Sequence, residues 1–166
     1  MAGSLIISCD GNKCGIILSG RVNFETVVPL RNFVNNIPEN ITDMTVDLGA
    51  CLSMDSTCMG VLSMLALLGI KRKIKMRILN AGGNRQLLKG LGVEKLFKFE
   101  DADFEPYAEI IYPQSTPAAK DLQAAAETVL EAHQTLIKAD EENKSKFETV
   151  VEMTQQDLDR MQNNHQ

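Results

Sequence analysis

The sequence predicts an α/β protein with a mixed sheet of four to five strands, helices packed on that sheet, and a helical C-terminal tail. Short β-prone runs alternate with helical patterns up to residue 113, which is typical of this class. All eleven glycines lie in residues 1–113. Residues 1–113 carry 12 basic and 12 acidic side chains, whereas residues 114–166 carry 5 and 10, so the net charge of -5 belongs to the tail. We therefore expect a domain over 1–113 and an extension over 114–166.

The first two strands are predicted over residues 5–9 and 14–18, as an antiparallel pair. The intervening Asp10-Gly11 dipeptide favours a tight hairpin turn, because both residues tolerate positive φ angles. Apolar residues at three- and four-residue spacing then predict a helix over 24–37, with Asn23 as its N-cap and Pro29 in its first two turns.

The alternation continues to residue 100. The remaining elements are predicted as a strand over 44–48, a loop over 49–54, a nearly all-apolar helix over 56–69, a strand over 75–79, a helix over 84–91 and a strand over 95–100. The basic cluster Lys71-Arg72-Lys73 follows the apolar helix, and we interpret it as cations that complement the helix C-terminus rather than a nucleic-acid patch.

The tail is predicted to be helical from about residue 118 to 161. Thr116 and Pro117 form a helix-start signal, and a heptad row runs from Leu130 to Leu158. An unbroken rod of about 45 residues would be about 70 Å long. The polar stretch 140–146 offers a hinge, so a hairpin of two helices, or one packed helix and a second that reaches a partner, fits equally well.

Composition argues against several classes of function. The net charge of -5 does not favour nucleic acid or an anionic membrane surface. The longest apolar stretch, residues 58–70, is too short for a bilayer crossing, which needs roughly 20 residues. No signal-peptide pattern opens the chain, so we expect a cytoplasmic protein.

Few residues suit catalysis or metal binding. The four cysteines contain no CxxC pair and are expected to be reduced, mostly buried thiols, without a disulfide framework. His133 has no second ligand at a suitable spacing and is interpreted as a packed residue rather than a metal ligand, and His165 is terminal. The sequence predicts no catalytic residues, no metal and no cofactor.

A longer motif lies where the third strand passes into the apolar helix. Residues 47–62 read Asp-Leu-Gly-Ala-Cys-Leu-Ser-Met-Asp-Ser-Thr-Cys-Met-Gly-Val-Leu, which resembles the STAS domain, the fold of bacterial anti-sigma factor antagonists and of sulfate transporter tails. Three further stretches match in the same order, at 18–22, 78–80 and 87–97. The resemblance covers roughly residues 4–104.

The resemblance implies a non-enzymatic regulator of transcription. Such domains bind a kinase-type anti-sigma factor, and phosphorylation of the residue after the motif aspartate switches this binding off; a serine phosphatase is a further expected partner. That residue is Ser56 here, with Thr57 as a less favoured acceptor. The expected partner-binding residues share the surface around it: Asp55, Met59, Gly60, Asn23 and Arg21.

Two positions on that surface differ from the family pattern. Cys58 replaces the usual glycine in the first turn of the helix, and Asn23 replaces an acidic residue. We interpret Cys58 as a small buried apolar residue; a redox-sensitive thiolate at the helix N-terminus is the alternative.

Two other functions remain open. The first is a structural adaptor, in which the domain is a platform and the C-terminal helices assemble a homo-oligomer. The second is small-ligand sensing, although Ala81-Gly82-Gly83-Asn84 alone is a weak phosphate-loop signal.

Overall fold

The computed structural model describes residues 1–115 and 121–163 as a seven-stranded mixed sheet with five helices. The strands are β1 (Ser4–Asp10), β2 (Lys13–Val22), β3 (Asp43–Asp47), β4 (Cys51–Met54), β5 (Lys75–Leu79), β6 (Phe99–Glu100) and β7 (Glu109–Tyr112). The helices are α1 (Phe24–Val34), α2 (Ser56–Arg72), α3 (Asn84–Gly90), α4 (Leu122–Ala139) and α5 (Asn143–Asn163). The predicted α/β class is confirmed.

The main path of the sheet runs β6-β5-β3-β2-β1-β7. β1 pairs antiparallel with both β2 and β7, whereas the β2-β3, β3-β5 and β5-β6 pairs are parallel. The predicted hairpin is confirmed, with Gly11 at a φ of 60° in its turn. β4 pairs in parallel with the far end of β2, off the main path.

The predicted number of strands, four to five, was too low. The sequence analysis did not predict β4 and β7, which have only four residues each. The predicted loop over 49–54 contains β4, whose four residues pair only with the end of β2. The predicted last strand over 95–100 is a single 3-10 turn, Glu94–Leu96, followed by the two residues of β6.

The prediction that all four cysteines are reduced was wrong for two of them. Cys9 and Cys14 are directly opposite one another in the β1-β2 register, and their sulfurs are joined in a disulfide. Sequence spacing did not reveal this pair, because only the hairpin register brings the two side chains together. Cys51 and Cys58 are free and buried.

The C-terminal tail forms a helical hairpin that packs on the sheet domain. α4 contacts both α1 and α2, and α5 contacts α4. The break falls at residues 140–142, at the start of the predicted hinge, so the two halves of the heptad row belong to different helices. Ala132 and Leu136 of α4 are part of the same apolar core as the sheet. The predicted start signal at Thr116 and Pro117 lies outside the described residues, as does His165; α4 begins after an N-cap at Asp121.

Candidate functional site

α2 begins at Ser56 because Asp55 caps it. The Asp55 backbone is extended, and its carboxylate accepts a hydrogen bond from the Cys58 N–H at 2.9 Å. A capping carboxylate satisfies one of the free N–H groups of the first turn and complements the positive end of the helix dipole. Asp55, one of the residues expected to bind the partner, is therefore the N-cap of α2 in the structure.

The Ser56 hydroxyl lies 2.8 Å from Nε2 of His133, a residue of α4. The other ring nitrogen, Nδ1, lies 2.7 Å from the carbonyl oxygen of Val129. A carbonyl oxygen only accepts, so Nδ1 carries the proton, and in the neutral ring Nε2 is then an acceptor. The Ser56 hydroxyl therefore donates a hydrogen bond to Nε2 of His133.

Burial keeps this imidazole neutral. His133 is only 3% exposed, and the ring of Phe147 from α5 packs edge-on against it at 4.8 Å between centroids. Burial lowers the pKa of His133, while its bond to Val129 and the Asp55 carboxylate act in the opposite direction. The prediction that His133 is a packed residue is confirmed, but its hydrogen bond to Ser56 could not be predicted from the sequence.

α4 lies directly over Gly60, one turn along α2 from Ser56. A Cβ atom built on residue 60 would lie 2.5 Å from the carbonyl oxygen of Ala132 and 2.6 Å from its Cβ. Glycine at one helix and alanine at the other therefore allow the two backbones to approach. Gly60 and Met59, two of the expected partner-binding residues, are both buried.

The pairing of β2 with β4 brings the other expected residues to the same end of the molecule. Arg21 is the register partner of Ser53, and the Asp55 N–H donates to the carbonyl oxygen of Val22 at 3.2 Å. Arg21 is exposed beside this junction. Asn23 is also exposed, and its side chain caps α1 by accepting from the N–H groups of Glu25 and Thr26.

The hydroxyl-bearing residues near the helix start differ in exposure. Ser56 is partly exposed and Ser53 is exposed on β4, whereas Thr57 is 4% exposed and Ser63 is fully buried. The Ser63 hydroxyl donates to the carbonyl oxygen of Met59 at 2.8 Å. Of the four, only Ser53 and Ser56 present a surface to an enzyme.

Cys58 is completely buried inside the first turn of α2. Burial raises its pKa well above the usual value for a thiol, and the neighbouring Cys51 and Asp55 raise it further. A buried thiol that resists ionisation is a poor nucleophile, so the interpretation of Cys58 as a small apolar residue is supported over the thiolate alternative.

An ion pair that the sequence did not reveal joins α1 to α4. The Arg31 guanidinium donates two hydrogen bonds to Glu131, at 2.6 and 3.0 Å, and one to Glu127 at 3.2 Å. The Arg31 side chain is 12% exposed. The hydrogen bond from Arg31 lowers the pKa of Glu131 below its usual value, against the opposing effect of burial.

The bend of the C-terminal hairpin is also attached to the domain. The Asn143 side chain donates to the carbonyl oxygens of Leu91 and Leu136, each at 2.8 Å, while its own Oδ1 is buried without a partner. Lys146 donates to the carbonyl oxygen of Gly90 at 3.2 Å. The bend between α4 and α5 is therefore held against the C-terminal end of α3.

In many hydrolases, a serine hydrogen-bonded to an imidazole is the nucleophile and the imidazole is its general base. Here the base is enclosed by α2, α4 and Phe147, and a substrate would find little access to it. Two surface grooves, of about 540 and 260 Å³, lie along the second half of α2 and the adjacent side of α4, and neither is lined by Ser56 or His133.

Within residues 1–115 and 121–163, no group of three or more His, Cys, Asp or Glu side chains is placed to hold a metal ion. No helix in the same residues combines the length and apolar character needed to cross a bilayer. No family model matches the chain, and the search of curated proteins found no match.

Proposed function

We propose that this protein is a non-enzymatic regulator that resembles the anti-sigma factor antagonists, binds a kinase-type protein partner at the N-terminal end of α2, and is controlled by phosphorylation of Ser56. One observation carries the proposal: Ser56, a partly exposed residue in the first turn of α2, donates a hydrogen bond from its hydroxyl to His133 of α4, which comes from a distant part of the chain. We further propose that it acts in the bacterial cytoplasm.

The first turn of a helix suits a phosphorylated side chain. Its free N–H groups and the positive end of the dipole favour an added charge of about -1.5 to -2. Asp55 already uses the Cys58 N–H, so the phosphate of a modified Ser56 would face the remaining groups and the solvent. Because Ser56 lies at the surface end of α2, we expect the sheet and its core to keep their structure.

The surroundings of Ser56 suit a protein partner. Leu52 on β4 and Phe24 at the start of α1 are 65% and 39% exposed, beside the exposed polar residues Arg21, Asn23 and Ser53. Apolar side chains with a polar margin are typical of protein-binding surfaces. Phosphorylation of Ser56 would make this surface more negative. If an acidic group of a bound partner then faced the phosphate, the repulsion would reduce the binding free energy by several kcal/mol.

Mass spectrometry of the protein isolated from its native cells, with phosphatases inhibited, tests the proposal. We expect phosphate on Ser56, absent from a Ser56→Ala variant expressed in the same cells. Ser53→Ala is the matched control, because Ser53 is exposed nearby and lies outside α2; it should leave the modification unchanged. Phosphate on Ser53 alone, or an unmodified Ser56 in cells that contain the partner kinase, would contradict the proposal.

The adaptor function is the alternative, in which the C-terminal helices form an oligomer. The apolar residues of the proposed seam are largely occupied within the chain, since Leu130, Leu136 and Leu158 are buried. Light scattering on the full chain tests this alternative, which requires a stable oligomer at micromolar concentration.

A further inference from the structure

The larger surface groove, between the C-terminal ends of α1, α2 and α4, has an apolar floor. Met64, Leu67 and Leu68 of α2 form this floor, and all three side chains are half-buried. They are three and four positions apart, so they share one face of the helix. Val34 and Ile37, at the end of α1 and just beyond it, line the same groove and belong to the apolar core. Its volume of about 540 Å³ lies within the range of about 300–1,000 Å³ that small-molecule sites occupy.

Three cations line the same groove. Lys71 and Arg72 lie in the last turn of α2, and Lys138 lies in the last turn of α4. The Arg72 guanidinium is held in place, because it donates to the carbonyl oxygens of Ile37 and Pro38 at 3.0 and 2.7 Å. Lys71 and Lys138 are exposed, and neither forms an ion pair with a carboxylate of residues 1–115 or 121–163.

This positive charge exceeds what the two helix ends neutralise. The C-terminal end of a helix carries a charge of about -0.5, so α2 and α4 together contribute about -1 against three full positive charges. Glu131 lies near Lys138, along the smaller groove that adjoins the larger one, but its carboxylate is already paired with Arg31. The groove therefore combines an apolar floor with an excess of positive charge. This combination is complementary to an apolar chain with an anionic head group.

The size and chemistry of the groove favour a single small amphiphile. Nine of the described residues line it, whereas a protein partner covers roughly 20–30 residues on each side of an interface. Asn35 is the one uncharged polar side chain among these nine, so a sugar or a nucleoside would leave most of its hydrogen-bonding groups unpaired. An anionic bilayer is disfavoured as well, because it would face the C-terminal tail, which carries the net charge of -5.

We propose that this groove binds a fatty acid anion, with the hydrocarbon chain on the floor formed by α2 and the carboxylate between Lys71 and Lys138. The inference goes beyond the proposed function, because it concerns the opposite end of α2. Ser56 and Arg72 are the first and last residues of that helix, which places them about 24 Å apart along its axis. Binding of the fatty acid anion and phosphorylation of Ser56 are therefore tested independently.

Isothermal titration calorimetry of the full chain with dodecanoate, kept below its critical micelle concentration, tests the inference. We expect saturable binding of one dodecanoate per chain. Dodecyltrimethylammonium has a similar hydrocarbon chain with a positive head group, and acetate has the carboxylate without the chain. Each should bind at least about tenfold more weakly, since each lacks one of the two complementary parts. Absence of dodecanoate binding, or equal binding of dodecyltrimethylammonium, would overturn the inference.

The double variant Lys71→Gln/Lys138→Gln tests the position of the carboxylate. It removes two exposed cations that line the groove and should weaken dodecanoate binding at least about tenfold. The matched control is Lys73→Gln/Lys75→Gln, which removes two exposed cations from the same part of the chain that do not line the groove; it should bind as the wild type does. Far-UV circular dichroism and cooperative urea unfolding establish that both variants fold. Equal affinity of the two variants for dodecanoate would contradict the proposed site.

Co-sedimentation with vesicles that contain phosphatidylglycerol separates a free fatty acid from a membrane surface. We expect the protein to remain in the supernatant. Sedimentation with the vesicles that is lost in Lys71→Gln/Lys138→Gln, together with no binding of dodecanoate, would assign these cations to a bilayer and overturn the inference.

Discussion

Gly60 in α2 and Ala132 in α4 are packed so closely that a single added methyl group on residue 60 would overlap the Ala132 backbone. This contact places α4 at the distance from α2 at which His133 reaches Ser56 and Glu131 reaches Arg31. The polar contacts on either side therefore depend on this close approach of the two helices.

The first prediction concerns this contact. Gly60→Ala should lower the free energy of unfolding by about 1–3 kcal/mol, because the overlap forces α4 outward. Gly69→Ala is the matched control in the same helix: its Cβ would lie at ordinary contact distances of 3.5 Å or more, and removing a helical glycine should stabilise by up to about 1 kcal/mol. Urea unfolding measures both, and a Gly60→Ala variant as stable as the wild type would contradict the close packing.

The second prediction concerns phosphorylation of Ser56. An esterified oxygen has no proton to donate, so the neutral His133 loses its partner while still buried. An unpaired buried acceptor costs about 1–3 kcal/mol, which corresponds to a 5- to 150-fold loosening of α4. Phosphoserine inserted at position 56 during synthesis should therefore accelerate hydrogen exchange in α4, while exchange in β1, β2 and β3 stays unchanged.

The control for this experiment is phosphoserine at position 53. It adds the same charge three residues earlier, on an exposed side chain of β4. Its exchange pattern in α4 should match that of the unmodified protein. Unchanged or slower exchange in α4 after modification of Ser56 would mean that His133 takes up a proton and binds the phosphate, and the predicted release would be wrong.

The third prediction is a pH dependence of stability. Because the pKa of His133 in the folded protein is lowered from its ordinary value of 6.5, the unfolded chain takes up a proton that the folded chain excludes. Stability from this residue is thus complete above about pH 6.5 and decreases as the pH falls below it, by no more than about 1.4 kcal/mol per pH unit for one proton.

Urea unfolding at pH 7.5, 6.5 and 5.5 measures this dependence. His133→Gln removes the titrating group, so the variant should show a shallower decrease than the wild type. Glu131 does not interfere, because its pKa is lowered from 4.5 and its contribution is lost only at lower pH. Parallel curves for the two proteins would show that His133 is not excluded from protonation in the folded state.

The fourth prediction concerns the ion pair between α1 and α4. A double-mutant cycle with Arg31→Ala and Glu131→Ala should give a coupling free energy of about 1 kcal/mol, at the upper end for a partly exposed pair. Arg160 and Asp157 on α5 provide the comparison, because their side chains are 72% and 53% exposed and their coupling should be close to zero. Equal couplings would indicate that Arg31 does not hold α4.

Local signals in the sequence predicted most of the elements around the site. Asn23 caps α1 as expected, Ser56 begins α2, and the predicted strand over 75–79 has the observed bounds. Each depends on a cap, a turn or a periodicity within a few residues. α1 nevertheless ends at Val34, three residues before the predicted end, and α2 continues to Arg72.

The interactions between distant segments could not be predicted in this way. Ser56 and His133 are separated by 77 residues, and Arg31 and Glu131 by 100. The residues next to each partner in the sequence do not indicate these contacts. A histidine or an arginine has the same local sequence pattern whether its side chain faces solvent or a distant partner. The Cys9–Cys14 disulfide was missed for a related reason, since it depends on strand register.

The sequence by itself determined the α/β class, the hairpin, the cap of α1, the start of α2 and the helical nature of the tail, because these follow from the conformational preferences of neighbouring residues. Only the tertiary structure decided that the tail folds back over α2 and that its histidine binds Ser56. That outcome depends on how closely two helix backbones can approach, and the glycine and alanine that permit it are 72 positions apart in the chain.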